Sequence, residues 1–253
     1  MNVNHINRRN VKVMKPSIIP VGDTAVDVVF ENKIDPIINS QIRNLQSKLE
    51  QEAITGITGF LASFRTLTVF YNPMQISWPE LKSILTKESQ HLDSALHTEK
   101  TIVHLPVLYG GEFGPDMVNI EKQSKLSSSE IINLHSQPQY LIYMLGFLPG
   151  FAYLGGLDER LATPRLANPR LKINPGSVGI AGTQTGMYPI ESPGGWQIIG
   201  RTPLQLFQPS ADDPFYYSAG DYIKFDAITV SEYQAIQHDV EQHQYQIEVE
   251  KEK

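Results

Sequence analysis

Residues 146–209 hold 11 of the 18 glycines and 8 of the 17 prolines of this 253-residue chain. Proline removes a backbone donor and clashes with the preceding helical turn, and glycine loses the most conformational entropy on entering a helix. Long helices are therefore excluded here. Short strands between tight turns remain, which points to a β-barrel or sandwich. Strands are predicted at 140–145, 177–181, 187–190, 196–199, 204–207 and 222–225. Two short helices precede the block, one around 116–123 and one from Ser127 to near His135. The second opens with Ser127 and Glu130 in capping-box spacing and is stopped by Pro138.

Before residue 100 the pattern changes. Residues 25–30 are β-branched and apolar. Asp35-Pro36 reads as N-cap and first helical residue, and Ile38, Ile42, Leu45 and Leu49 follow at helical spacing. Leu67, Val69 and Tyr71 alternate with Thr66, Thr68 and Phe70 as in a strand. A second helix starts near Ser77 and carries Leu81, Ile84, Leu85, Leu92 and Leu96, and residues 102–107 are again strand-like. Strand–helix–strand–strand–helix–strand is the ferredoxin-like order. The fold class expected is α+β: a flexible tail (1–15), a small two-layer ferredoxin-like N-terminal domain (16–100), a β-barrel domain (101–236) and a charged C-terminal tail (237–253) that is a short helix or disordered.

The chain carries 21 basic and 27 acidic residues, a net charge of −6. That argues against a nucleic-acid binder, which concentrates positive charge. There are no cysteines, so disulfides, zinc–thiolate sites and a cysteine nucleophile are all excluded. No apolar run approaches the length of a membrane helix, about 20 residues. Arg8, Arg9, Lys12 and Lys15 have no apolar segment behind them, so a solvated tail is expected rather than a signal peptide. A cytoplasmic protein is the expectation.

No P-loop, nucleophile elbow or H-E-x-x-H is present, and the seven histidines show no ligand spacing, so no protein-bound metal is expected. The dense block holds the candidates. Phe147, Phe151 and Tyr153 stand among glycines, with Tyr188 and Trp196 further on. They would either wall a ligand or pack a barrel turn with their own rings. Arg165 and Arg170 each follow a proline, and Arg201 follows Gly200. Arginine binds carboxylate or phosphate bidentately; the alternative is solvated side chains, or pairing with Asp158 and Glu159. Gln184 would read an amide, or cap its own turn. His135, at a helix end, is either an imidazolium favoured by the helix dipole or a general acid/base. Residues 146–209 contain five basic and three acidic side chains, which favours an anionic ligand or an acidic partner surface. Arg170→Ala is expected to cut activity at least about tenfold with little change in melting temperature.

Several segments resemble the allophanate hydrolase subunit 1 family, which includes the B component of 5-oxoprolinase and an inhibitor of the sporulation histidine kinase. They are Tyr109-Gly110-Gly111-Glu112-Phe113-Gly114-Pro115-Asp116, the 146–156 block, Pro164-Arg165 through Pro169-Arg170 to Pro175-Gly176-Ser177-Val178, and Pro193-Gly194-Gly195-Trp196 with Gly200-Arg201-Thr202. Gly22-Asp23-Thr24-Ala25 and residues 63–69 resemble its N-terminal domain. The chain departs from the family pattern at Leu108, often cysteine, and at Asn72, often aspartate. The resemblance implies a cyclophilin-like barrel and a non-autonomous subunit of an ATP-dependent 5-oxoprolinase, which opens 5-oxoproline to glutamate. It implies ATP with Mg at a site shared between subunits. The implied partners are the A component of 5-oxoprolinase and a C component that is allophanate hydrolase subunit 2-like. The alternatives it leaves are a protein-binding inhibitor of a sensor histidine kinase, and a subunit of an amide carboxylase or hydrolase acting on urea or allophanate.

Overall fold

The computed structural model describes residues 15–92 and 100–252. Apart from Lys15, the expected flexible tail lies outside the described residues, as does Leu96. The chain divides into two compact units, one within Met1–Ser94 and the other within Ala95–Lys253.

In the first unit, strands β1 (Ser17–Val21) and β2 (Ala25–Val29) precede helix α1 (Pro36–Glu52). Strands β3 (Ile57–Ala62) and β4 (Thr66–Tyr71) precede helix α2 (Trp78–Glu88). Asp35 caps α1 by accepting from the Ile37 N–H at 2.8 Å, and Ser77 with Glu80 forms a capping box on α2. The sheet order is β1-β2-β4-β3, all antiparallel. Val26, Val28, Leu67 and Val69 on one sheet face bury Ile38, Ile42, Leu45 and Leu49 of α1 and Leu81 and Leu85 of α2.

This order corrects the ferredoxin-like expectation. The strand expected to complete the unit, residues 102–107, belongs to the second unit, and β1 pairs along the edge of β2 in its place. The result is strand–strand–helix–strand–strand–helix. Ser17–Val21 carries a proline and is mostly exposed, so it gave no buried-strand signal; edge strands tolerate proline because one side of the ladder is unpaired.

The second unit contains β5 (Lys100–Tyr109), α3 (Met117–Ser124), α4 (Ser128–Ser136), β6 (Gln139–Leu145), β7 (Ala152–Gly155), β8 (Arg170–Ile173) and β9 (Ser177–Ala181). It continues with β10 (Gln184–Met187), β11 (Ser192–Gly194), β12 (Gln197–Arg201), β13 (Tyr222–Ala227), α5 (Val230–Glu241) and β14 (Val249–Glu252). Seven strands form the ring β12-β9-β10-β7-β6-β13-β5, which closes where Gly200 and Arg201 of β12 meet Tyr109 and Leu108 of β5. Closure removes the free edges that an open sheet would expose. β8 and β11 form a separate two-stranded ribbon. Alternate residues fill the barrel, among them Leu105, Val107, Ile142, Leu154, Val178, Ile180, Met187, Ile199, Ile223 and Phe225.

Two expectations are corrected here. Residues 204–207 make no strand; Leu204 and Leu206 plug the core from irregular chain. The C-terminal stretch is neither disordered nor all helix: after α5, β14 pairs antiparallel with β5. Charge secures it, through Lys100 to Glu252 at 3.0 Å and His104 facing both Asp226 and Glu250.

Candidate functional site

Strands β7, β10, β9 and β12 carry two apolar layers, one on each side. Their inward residues fill the barrel. On the opposite side a second cluster gathers Phe151, Ile173, Ala181, Tyr188, Trp196 and Ile198, with Leu148 and Tyr153 against it. The Phe151 ring stands edge-on to Tyr153, Tyr188 and Trp196, with centroids 5.1–5.4 Å apart. Glycine makes this layer possible. A Cβ on Gly186 would lie 3.1 Å from the Trp196 ring, and one on Gly179 would lie 3.3 Å from the Trp196 Cβ. Gly179 and Gly186 are paired across β9 and β10, which puts both against Trp196.

The structure thus brings together Phe147, Phe151, Tyr153, Tyr188 and Trp196, but not as open walls. Phe151, Tyr188 and Trp196 are buried against one another and against Ile173 of the β8–β11 ribbon. Burial pushes the Tyr188 hydroxyl up to about 12, opposed by a hydrogen bond from the Trp196 N–H and by the charges of Arg165 and Arg170. Both arginines therefore lie within electrostatic reach of this ring. Phe147 alone of the five is largely exposed.

The three arginines have different fates. Arg170 forms a bidentate pair with Asp116, at 2.7 and 2.8 Å. Asp116 is buried at the start of α3 and also accepts from the Ile198 N–H at 2.7 Å. One carboxylate thus ties the ribbon, the β12 bulge and α3 together. Pairing with the 158–159 loop is corrected: Asp158 is held by Arg160. Arg165 is exposed and makes no ion pair among the described residues. Its backbone is pinned on both sides, since Gln197 donates to the Pro164 carbonyl at 2.9 Å and the Leu166 N–H to the Gly195 carbonyl at 2.7 Å. Arg201 faces elsewhere, stacked 5.4 Å from the Phe113 ring and bonded to Tyr233.

Gln184 opens β10 opposite Ala181, half-buried, two residues from Gly186. His135 is inside the barrel and fully buried. Thr185 gives its proton to the Gly179 carbonyl at 3.0 Å, so its oxygen accepts from His135 Nε2 at 2.7 Å. His135 Nδ1 then accepts from the Tyr109 hydroxyl at 2.8 Å. Its ring stacks on Phe225. Burial drives its pKa down to about 3, which corrects the imidazolium expectation: removal from water outweighs the helix dipole.

Asp116 gave no sign in the sequence of being a site residue. A short helix was expected around 116–123, but a partner 54 positions away leaves no local mark. Among the described residues no group of three His, Asp or Glu is placed to hold a metal, and no helix is long and apolar enough to cross a membrane.

Residues 16–217 match the family model of the carboxyltransferase domain, subdomain C and D. The chain belongs to this family. Within it, the B component of 5-oxoprolinase from Bacillus subtilis is 40% identical over 225 residues, covering 85% of this chain and 94% of that protein. The crystal structure of a conserved uncharacterized protein from Pyrococcus horikoshii is 44% identical, covering 86% of this chain and 100% of that one, with a TM-score of 0.52. Urea amidolyase of K. lactis, at 21% identity, shares the fold: its TM-score is 0.77 over 94% of this chain and 16% of that one. The carboxyltransferase-domain relatives bear out the resemblance read from the motifs.

Proposed function

We propose that this chain is the B component of an ATP-dependent 5-oxoprolinase and opens 5-oxoproline to glutamate together with companion A and C components. The observation that carries this reading is the 40% identity to a protein of that name across 94% of its length. The net reaction consumes one ATP and two waters and yields glutamate, ADP and phosphate. A lactam is a poor target for water. Transfer of a phosphoryl group to its oxygen creates a leaving group, and cations and donors must meet the charge that develops.

In this reading the face over the aromatic layer is this chain's share of an interface site. Arg165, pinned and without an ion pair among the described residues, holds the substrate carboxylate. Gln184 reads the lactam amide. Phe151, Tyr188 and Trp196 are the packed floor, and Asp116–Arg170 fixes the ribbon above them. Arg201 and His135 take no part. Among the described residues no group of three His, Asp or Glu is placed to hold a metal, and Asp116 is occupied by Arg170 and the Ile198 N–H, so the described residues do not make a Mg–ATP site by themselves. ATP then binds at a site completed by the companions, in the cytoplasm. We take the barrel to be of the cyclophilin-like kind, a likeness that carries no isomerase activity. The test is co-expression with the companions, followed by glutamate release that depends on both ATP and 5-oxoproline. Absence of turnover in every combination would overturn the reading.

A further inference from the structure

Gln197 opens β12 opposite Ile180 of the barrel core, where packing alone calls for an apolar side chain. It is buried, and a buried amide is costly unless its polar atoms are answered. Two partners from distant parts of the chain answer it. Asn119 of α3 donates its Nδ2 to Gln197 Oε1 at 2.9 Å, and Gln197 Nε2 donates to the Pro164 carbonyl at 2.9 Å. The second bond falls next to Arg165. The peptide that joins Pro164 to Arg165 is planar, so a hold on its oxygen also orients its nitrogen. The proline ring fixes φ on the near side. The next peptide is held too, by the Leu166 N–H donating to the Gly195 carbonyl at 2.7 Å. With both flanking peptide planes fixed, the direction in which the exposed Arg165 leaves the backbone is set. One step back, Thr163 and Gly182 exchange two backbone bonds, at 3.2 and 2.7 Å. Gly182 follows Ala181, the residue paired with Gln184 across the β9–β10 hairpin. The segment that carries Arg165 is thus tied to the hairpin that carries Gln184, and among these ties Gln197 is the one made by a side chain.

We propose that Gln197 is a positioning residue for the lactam-opening reaction: steadied by Asn119, it sets Arg165 to meet the substrate carboxylate while Gln184 meets the amide. The proposal rests on the 5-oxoprolinase reading and deepens it. A loop arginine on free backbone would have to be ordered at each binding event, and a pre-set backbone removes that cost. Small misplacements of a substrate-holding group are felt strongly at the reacting atoms.

The experiment uses the full chain co-expressed with the companion A and C components. The kcat/KM for 5-oxoproline, the KM for ATP and the melting temperature are measured for wild type, Arg165→Ala, Gln197→Met and Asn119→Ala, and for the last two each combined with Arg165→Ala. Methionine keeps the volume of Gln197 but has no donor for the Pro164 carbonyl. Gln197→Met is expected to lower kcat/KM for 5-oxoproline at least about tenfold, with the KM for ATP unchanged. Once Arg165 is alanine, the same change should matter by less than about twofold, because the residue it acts through is gone. Asn119→Ala, at a half-buried position that leaves Gln197 in place, shifts kcat/KM in the same direction and carries the test if Gln197→Met does not fold. If Gln197→Met lowers kcat/KM equally in both backgrounds, or leaves it unchanged in the wild-type background, Gln197 is only structural; the proposal fails and the 5-oxoprolinase reading stands. If Arg165→Ala keeps wild-type efficiency, there is no anchor to position and the proposal fails. If wild type turns over no 5-oxoproline in any combination, the reading falls and takes the proposal with it.

Discussion

Removing one half of the Arg170–Asp116 pair strands the other. Asp116 accepts three hydrogen bonds, two of them from Arg170, and its side chain is only 6% exposed. Breaking a buried pair costs about 3–5 kcal/mol. Arg170 is one-third exposed, so water relieves part of this, and Arg170→Ala is expected to lose about 2–3 kcal/mol in urea unfolding. That replaces the sequence expectation of an unchanged melting temperature. Arg165→Ala should behave oppositely. It changes stability by about 0.5 kcal/mol or less, yet lowers the assembled enzyme's turnover at least about tenfold; unchanged turnover would remove Arg165 from the site. His135 sets a pH dependence. Its folded pKa, about 3, lies below the unfolded value, about 6.5, so the unfolded chain takes up the proton first. Its contribution is whole above about pH 6.5 and shrinks as pH falls toward 3, by up to about 1.4 kcal/mol per unit. Urea midpoints measured from pH 7 to 4 should fall accordingly, and His135→Gln should flatten that slope.

Close backbone contacts, not only apolar side chains, hold the barrel's outer layers in place. Gly114 shows this most directly, since a Cβ there would collide with the Ile199 carbonyl of β12. Neither strand nor loop backbone moves cheaply, so Gly114→Ala is expected to cost about 1–3 kcal/mol, read as a lowered urea midpoint. Features governed by neighbouring residues were legible in advance. Asp35-Pro36 capping α1, the helix start at Ser77, the Ser127 capping box, and the strand alternation of β4 all rest on near neighbours in sequence. β1 was not legible, because its proline and exposure belong to an edge whose neighbour is set by tertiary pairing. Nor was the place of β10, expected at 187–190 and found at Gln184–Met187, because its glycine, Gly186, breaks the strand signal where Trp196 needs the room. The aromatics were visible as a group, but whether they wall a pocket or pack on each other depends on the β8–β11 ribbon. β14 adds a further test. Burial lowers the His104 pKa, but Asp226, Glu248 and Glu250 together carry it above its ordinary value. This clasp is whole below about pH 6.5 and is lost as pH rises through the raised value. Truncation before Glu248 should therefore destabilise the chain more at pH 6 than at pH 8.5, compared by thermal melts.

The proposed opening of a lactam with ATP requires that several phosphate charges be neutralised while a new oxyanion forms. This one is acidic, at −6, and its barrel cations are mostly spoken for: Arg160 by Asp158, Arg170 by Asp116, Lys172 by Glu191, Lys100 by Glu252. Lys224 is spent on the carbonyls at the end of α4. Arg165 remains on the aromatic face, and one guanidinium is a carboxylate's worth of charge, not a triphosphate's. The face is built to high internal order and low chemical completeness, which is the condition of a protein that shares its site with others. The isolated chain is therefore expected to hydrolyse neither ATP nor 5-oxoproline, and to show no prolyl isomerase activity on a standard peptide. Adding the companions should restore ATP- and lactam-dependent glutamate release without changing the circular dichroism of this chain, because its fold is already complete. Robust turnover by the purified chain alone would show that the missing cations are supplied from within it.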